Sequence, residues 1–161
     1  MEAQEFEFTE NWDNEGMLDY KNDRTLNRYR ELCKEQYSVD VSKYDCFFAF
    51  SNEQFAQGLK SIRPLKEGEK LVSIGGGGYG TKDGAKRLVE FCDNITERIK
   101  AECNPQEVYV YEYNNHECFF AYDGDLPVIK LIASIWGDET AKKIERKSAF
   151  YSLEHLFGKE E

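Results

Sequence analysis

EVYVYEYNNHECFFAY, Glu107–Tyr122, is the stretch on which the reading of the fold turns. Its first half alternates along valine, tyrosine and glutamate in steps of two, the period of a half-buried strand. Its second half is a compact aromatic run. Between them, Asn114 and Asn115 tolerate the left-handed backbone that a tight two-residue turn requires. The pattern predicts a β-hairpin over 107–122. In that hairpin Tyr109, Tyr111 and Tyr113 share one strand face, suited either to a core packed on helices or to a protein interface. Glu112 stands opposite Glu117, and like charges so placed must be well solvated, share a proton or hold a cation. Asp123 and Asp125 follow closely, making these carboxylates a candidate acidic site, with solvated hairpin-end carboxylates as the plainer alternative.

Upstream of the hairpin, Ala85, Leu88, Cys92, Ile95 and Ile99 form the clearest amphipathic stripe in the chain, a helix over about 83–103 stopped by Pro105. Before it lies KLVSIGGGGYGTKDG, Lys70–Gly84, read as a strand, a glycine loop and a helix start. Gly75, Gly77 and Gly80 satisfy G-x-G-x-x-G, and Thr81 and Lys82 follow at the helix start, where amide protons and a cation favour an anion. Against a dinucleotide site, the acidic residue expected about twenty positions on would end a second parallel strand, whereas that region lies inside the long helix. A P-loop is excluded because Thr81-Lys82 replaces Lys followed by Ser or Thr. The favoured reading is a glycine bend for close packing or a flap, with anion binding as the alternative.

Further upstream, YDCFFAF, Tyr44–Phe50, has the composition and length of a strand. Ser51-x-x-Gln54 has the form of a capping box opening a helix with Phe55, Leu59 and Ile62 on one face, ended by Pro64. Leu26, Tyr29, Leu32, Cys33 and Tyr37 form an earlier helical stripe, and EFEFT, Glu5–Thr9, alternates like a strand. Beyond the hairpin, Val128, Leu131, Ile132 and Ile135 mark a helix closed by Gly137, with Asp138 capping another and Phe150, Leu153 and Phe157 marking a terminal one. The tetrapeptide CFFA occurs at Cys46 and at Cys118, for which two strands in similar surroundings are a plainer explanation than a duplication of a strand-then-helix unit.

The balance of 21 Lys and Arg against 31 Asp and Glu, a net charge of -10, opposes binding to nucleic acid or anionic lipid. The five cysteines are scattered without a C-x-x-C pair, and the two histidines, His116 and His155, lie far apart in sequence, so no metal or cofactor site is expected. No basic region followed by an apolar leader and no membrane-length apolar run is present, which makes the cytoplasm the expected compartment and a membrane an unexpected partner.

The run YEYNNHECFFAYDGDLPVIKLIASIWGDETAKKI, together with FFAFSNEQFAQG and IGGGGYGTKDG, resembles a family of small uncharacterised proteins associated with gut anaerobes and their mobile elements. The resemblance covers about Tyr44–Arg146. It implies an accessory or host-interaction role, and no catalytic residue.

The expected fold is a single α+β domain over 1–161, with 1–22 a loosely packed N-terminal segment. A mainly antiparallel sheet of about four or five strands, the hairpin included, packs against the long helix and the C-terminal helices. The expected function is a non-enzymatic, protein-binding or regulatory accessory role. The alternative is a small-ligand module that binds a nucleotide or phosphate at Gly75, Gly77, Gly80, Thr81 and Lys82.

Overall fold

The computed structural model of the chain describes residues 24–116, 118 and 123–144. The expected N-terminal segment, the strand at Glu5–Thr9, the terminal helix near Phe150, and Glu117 with 119–122 lie outside the described residues. The elements run α1 (Arg24–Tyr37), a short 3-10 turn (Val41–Tyr44), β1 (Cys46–Phe48), α2 (Asn52–Ser61), β2 (Val72–Gly75) and β3 (Gly78–Gly80). They continue as α3 (Lys82–Glu102), α4 (Pro105–Asn115) and α5 (Leu126–Trp136). A further helical stretch covers 138–144. The chain divides into two compact units, one of Lys34–Ile95 and one of the described residues within Met1–Cys33 and Thr96–Glu161. The division falls inside α1 and α3.

In the unit of Lys34–Ile95 the sheet is antiparallel in the order β1-β3-β2, with Phe47 opposite Tyr79 and Gly75 opposite Gly78. The rings of Phe47, Phe55 and Tyr79 pack with centroids 5.2 to 5.9 Å apart, over a core containing Ala49 and Ile62. α2 approaches at Gly58, where a Cβ would stand 2.0 Å from the Phe47 ring. Its start is the expected capping box with one change of partner. The Ser51 hydroxyl accepts from the Gln54 amide at 3.2 Å, and the Gln54 side-chain oxygen accepts from the Phe50 N–H at 2.8 Å.

The corner before β1 is held by Asp45, a non-glycine residue at φ 51. Its carbonyl accepts from the Thr81 N–H at 3.1 Å, and its carboxylate accepts from Arg87 at 3.0 Å and from the Arg63 N–H at 3.3 Å. Left-handed backbone is unfavourable for a residue with a Cβ, least so for Asp and Asn, and here three segments converge to hold it. Arg63 in turn donates both arms of its guanidinium to Glu69 at 2.7 and 2.8 Å.

The other unit is helical among the described residues. Leu26, Tyr29 and Leu32 of α1, Ile99 of α3, and Val128 and Ile132 of α5 are buried. α5 packs on α4. Arg28 donates to Glu102, which holds the Glu102 carboxyl below its ordinary range.

The expectation of a sheet of about four or five strands against one long helix is overturned. The chain is mainly helical among the described residues, with one three-stranded antiparallel sheet. The decisive error is at Glu107–Tyr122: residues through Asn115 belong to a helix, not to a hairpin strand. Pro105 stops nothing beyond α3; it opens α4, where its missing N–H and fixed φ cost nothing. Asn104 caps it, the side-chain oxygen accepting from the Gln106 N–H at 2.8 Å. Pro105, Val108, Tyr109, Glu112 and Tyr113 are all buried, at spacings of three and four. A helix buried on most of its circumference reads as a continuous apolar run, and in so short a run alternation does not separate strand from helix.

Candidate functional site

Two regions concentrate the chemistry. In the sheet, Gly76 and Gly77 are the two central residues of the β2–β3 turn, with φ of 57 and 80, as a two-residue type I′ turn demands. Strand β3 then shows only glycine on the face away from α2. A Cβ on Gly78 would stand 2.5 Å from Ile74 and 3.0 Å from Phe48, and one on Gly80 would stand 2.4 Å from the Cys46 sulfur. A Cβ on Gly77 would meet Phe50 at 2.5 Å. The missing side chains let Phe48, Phe50 and Ile74 lie over the glycine backbone. Phe48 remains 49% exposed and Phe50 78%, an aromatic pair facing outward at alternate positions along the chain.

Of the residues in the alternative anion site, Gly75 ends β2, Gly77 lies in the turn, and Gly80 ends β3 before the helix. Thr81 is fully buried and caps α3, its hydroxyl accepting from the Gly84 N–H at 3.0 Å. Its carbonyl accepts from the Ala85 N–H at 2.8 Å. Lys82 is the exposed first residue of the helix. A whole strand therefore separates the Gly76–Gly77 turn from the helix N-terminus, whereas a dinucleotide loop runs from its glycines straight into the helix.

In the helical unit Glu112 lies buried on α4. Tyr29 of α1 donates to its Oε1 at 2.7 Å, while His116 Nε2 stands 3.0 Å and Asn115 Nδ2 3.5 Å from its Oε2. Both oxygens are thus engaged, which is the condition for a buried carboxylate. Burial, reinforced by the bond to Glu112, pushes the Tyr29 hydroxyl far up, so it stays a donor. Cys33, one turn on from Tyr29, is also pushed up by burial. Cys103 is pushed up to about 12, again by burial first. The network is a satisfied polar core, and its thiols are poor nucleophiles.

The pairing expected of Glu112 with Glu117 loses its basis, because Glu112 is helical and Glu117 lies outside the described residues. Asp125 accepts from the Tyr109 hydroxyl at 2.7 Å, and Asp123 is exposed in the turn before α5. Tyr109 and Tyr113 are buried with their rings 5.8 Å apart, one helical turn from each other, and Tyr111 meets Tyr29 edge to face. No strand face carries the three tyrosines. Among the described residues no group of three or more His, Cys, Asp or Glu could hold a metal ion, and no helix is long and apolar enough to cross a membrane.

Sequence reasoning placed YDCFFAF in a strand but did not single out Phe48 and Phe50. The signal was there in alternate aromatics beside a strand of glycines. Tyr29 with Glu112 was hidden by reading α4 as a strand.

The fold and these two regions define a small, mainly helical protein that carries a glycine-floored three-stranded sheet. Over residues 28–146 the chain matches the model of a family of unknown function (DUF7659), and it belongs to that family. No curated protein and no solved structure matches it.

Proposed function

We propose that the chain is a non-enzymatic accessory protein that contacts another polypeptide through the exposed aromatics Phe48 and Phe50 of its sheet. The observation that carries this reading is the pair Phe48 and Phe50, 49% and 78% exposed on the face to which β3 contributes only glycine. Aromatic residues, phenylalanine included, are enriched in the cores of protein interfaces. The buried Glu112 network has every carboxylate oxygen engaged inside the unit and supports the fold. The resemblance to small proteins of gut anaerobes and their mobile elements fits an accessory role of this kind.

Affinity capture with the full chain, beside the double variant Phe48→Ser, Phe50→Ser and the control Leu126→Ser, tests the proposal. Leu126 is 45% exposed in the helical unit. Partners that depend on the sheet face are lost with the double variant and retained by the control. Capture indifferent to both variants rejects the reading. The competing view, a nucleotide or phosphate held near Lys82, predicts a rise in Tm when such ligands are added in millimolar excess; we expect none.

A further inference from the structure

The dipeptide Asp-Gly occurs twice in the chain, as Asp83-Gly84 and as Asp123-Gly124. In any such pair the backbone nitrogen of the glycine can attack the aspartate side-chain carboxyl, because the glycine has no side chain to hinder the approach. We infer that Asp123 is a site of spontaneous covalent modification, converting to isoaspartate, and that the conversion loosens the start of α5 from α4. Asp83 is the protected copy of the same pair.

The reaction needs no oxidant and no cofactor. The Gly124 nitrogen bonds to Asp123 Cγ, and the hydroxyl of the protonated carboxyl leaves with the nitrogen's proton as water. Water then reopens the succinimide ring. Opening at Cγ restores aspartate, whereas opening at the backbone carbonyl carbon leaves the chain running through the side chain, one methylene longer, with the former carbonyl now a free carboxylate. One water is lost and one regained, so the product is an isomer of the starting chain.

The two pairs differ in what holds them. Asp83 and Gly84 stand in the first turn of α3. Gly84 is buried and its N–H donates to Thr81 Oγ1 at 3.0 Å, while the Asp83 carboxylate accepts from Arg87 Nε at 3.1 Å. Nitrogen and carboxyl are both engaged, and the helix must open before they can meet. Asp123 and Gly124 stand in the turn before α5, with Asp123 exposed and Gly124 at φ 58. Among the described residues nothing lies within 4 Å of where a Cβ on Gly124 would stand. The effect on α5 follows from what the turn holds. The Asp123 carbonyl, which accepts from the Leu126 N–H at 3.3 Å, is the group that isomerisation takes out of the backbone. Asp125, two residues on, accepts from the Tyr109 hydroxyl of α4 at 2.7 Å, and its carbonyl accepts from the Val128 and Ile129 N–H groups, both at 2.9 Å. A methylene inserted ahead of it displaces Asp125 from Tyr109 and frays the first turn of α5.

Ageing the full chain near neutral pH in heavy-oxygen water tests the inference. Each passage through the ring takes up one heavy oxygen, which peptide mass mapping locates, and a protease that cuts before aspartate but not before isoaspartate counts the isomer. Label is expected at Asp123 faster than at Asp83 by about tenfold or more, since Asp83 reacts only through local opening of α3. Hydrogen exchange of the aged chain should rise at the start of α5 and stay unchanged in the sheet. Asp123→Glu, whose longer side chain disfavours ring closure, should age without label at position 123 and without the change at α5. No label at Asp123, or label no faster than at Asp83, overturns the modification site. Isoaspartate at Asp123 with α5 exchange equal to that of the unaged chain overturns its link to the helix, as does an equal rise in aged Asp123→Glu.

Discussion

In the unit of Lys34–Ile95 the decisive positions are ones where a side chain is missing; in the helical unit they are polar side chains placed where apolar ones would be ordinary. Gly58, Gly78, Gly80 and Gly84 each sit where a Cβ would come within 2.5 Å of a neighbour. The first unit is thus assembled by close approach of backbone to ring, sulfur or carbonyl. Tyr29, Glu112, Tyr109 and Asp125 build the second by hydrogen bonds of 2.7 Å between residues far apart in sequence. Each unit is therefore vulnerable in its own way: the first to gaining a methyl group, the second to losing a single polar atom.

Gly84 puts this contrast to its hardest test. A Cβ there would stand 1.9 Å from the Tyr44 carbonyl oxygen and 2.8 Å from Thr81 Oγ1, and backbone cannot yield as a flexible side chain does. Gly84→Ala should cost about 3–4 kcal/mol, read as a shift of the denaturation midpoint. An unchanged midpoint would show that the first unit is not set by close approach at this point.

Next in size is Tyr29→Phe, which keeps the ring and removes the donor to Glu112. It should cost about 1–3 kcal/mol, because it leaves a buried carboxylate oxygen short of a partner. Hydrogen exchange should rise in α1 and α4 and leave the sheet unaffected; a rise confined to the sheet would contradict the assignment.

Gly76→Ala separates backbone conformation from close packing within the first unit. Gly76 has φ of 57, and a Cβ there would meet nothing within 4 Å, so the cost is conformational alone. It should be about 1 kcal/mol, well below that of Gly84→Ala. Equal costs at the two positions would mean that close packing matters no more than φ.

The smallest effect is one of pH. The Arg63 side chain holds the Glu69 carboxyl down to about 2, against an ordinary value of 4.5. Since the folded pKa is the depressed one, the pair's stabilisation is complete above about 4.5 and is lost as pH falls from there towards 2. Glu69→Gln should therefore lower stability slightly at neutral pH, where the pair is fully formed, and change nothing near pH 2, so that the acid limb flattens. A flat acid limb in the unmodified chain would remove this pair from the account.

The legible parts of the sequence were those with a single period or a local chemical signal. The stripe from Ala85 to Ile99 gave α3, Ser51 with Gln54 gave the start of α2, and Gly137 gave the end of α5. Glu107–Tyr113 failed because two periods fit it. Valine and tyrosine alternate in steps of two, while Pro105, Val108, Tyr109, Glu112 and Tyr113 also fall at helical spacings. Choosing between them required the fate of Glu112, a charged residue that enters the buried face only because Tyr29, 83 residues earlier, supplies its partner. The glycine loop was open to two readings. Four consecutive glycines permit both a phosphate loop and a hairpin turn, and it was Gly78 pairing back on Gly75 that made the turn.

Gln54 belongs to α2, but its consequence falls on the strand before it. By accepting from the Phe50 N–H, its side chain withdraws a donor from the chain immediately past Phe48. A fibre grows along a sheet only where each arriving chain meets an unbroken row of donors and acceptors. Here the row ends within a residue or two. The same side-chain amide that begins a helix thus also removes one donor from the end of the strand, shortening the row that an arriving strand could read.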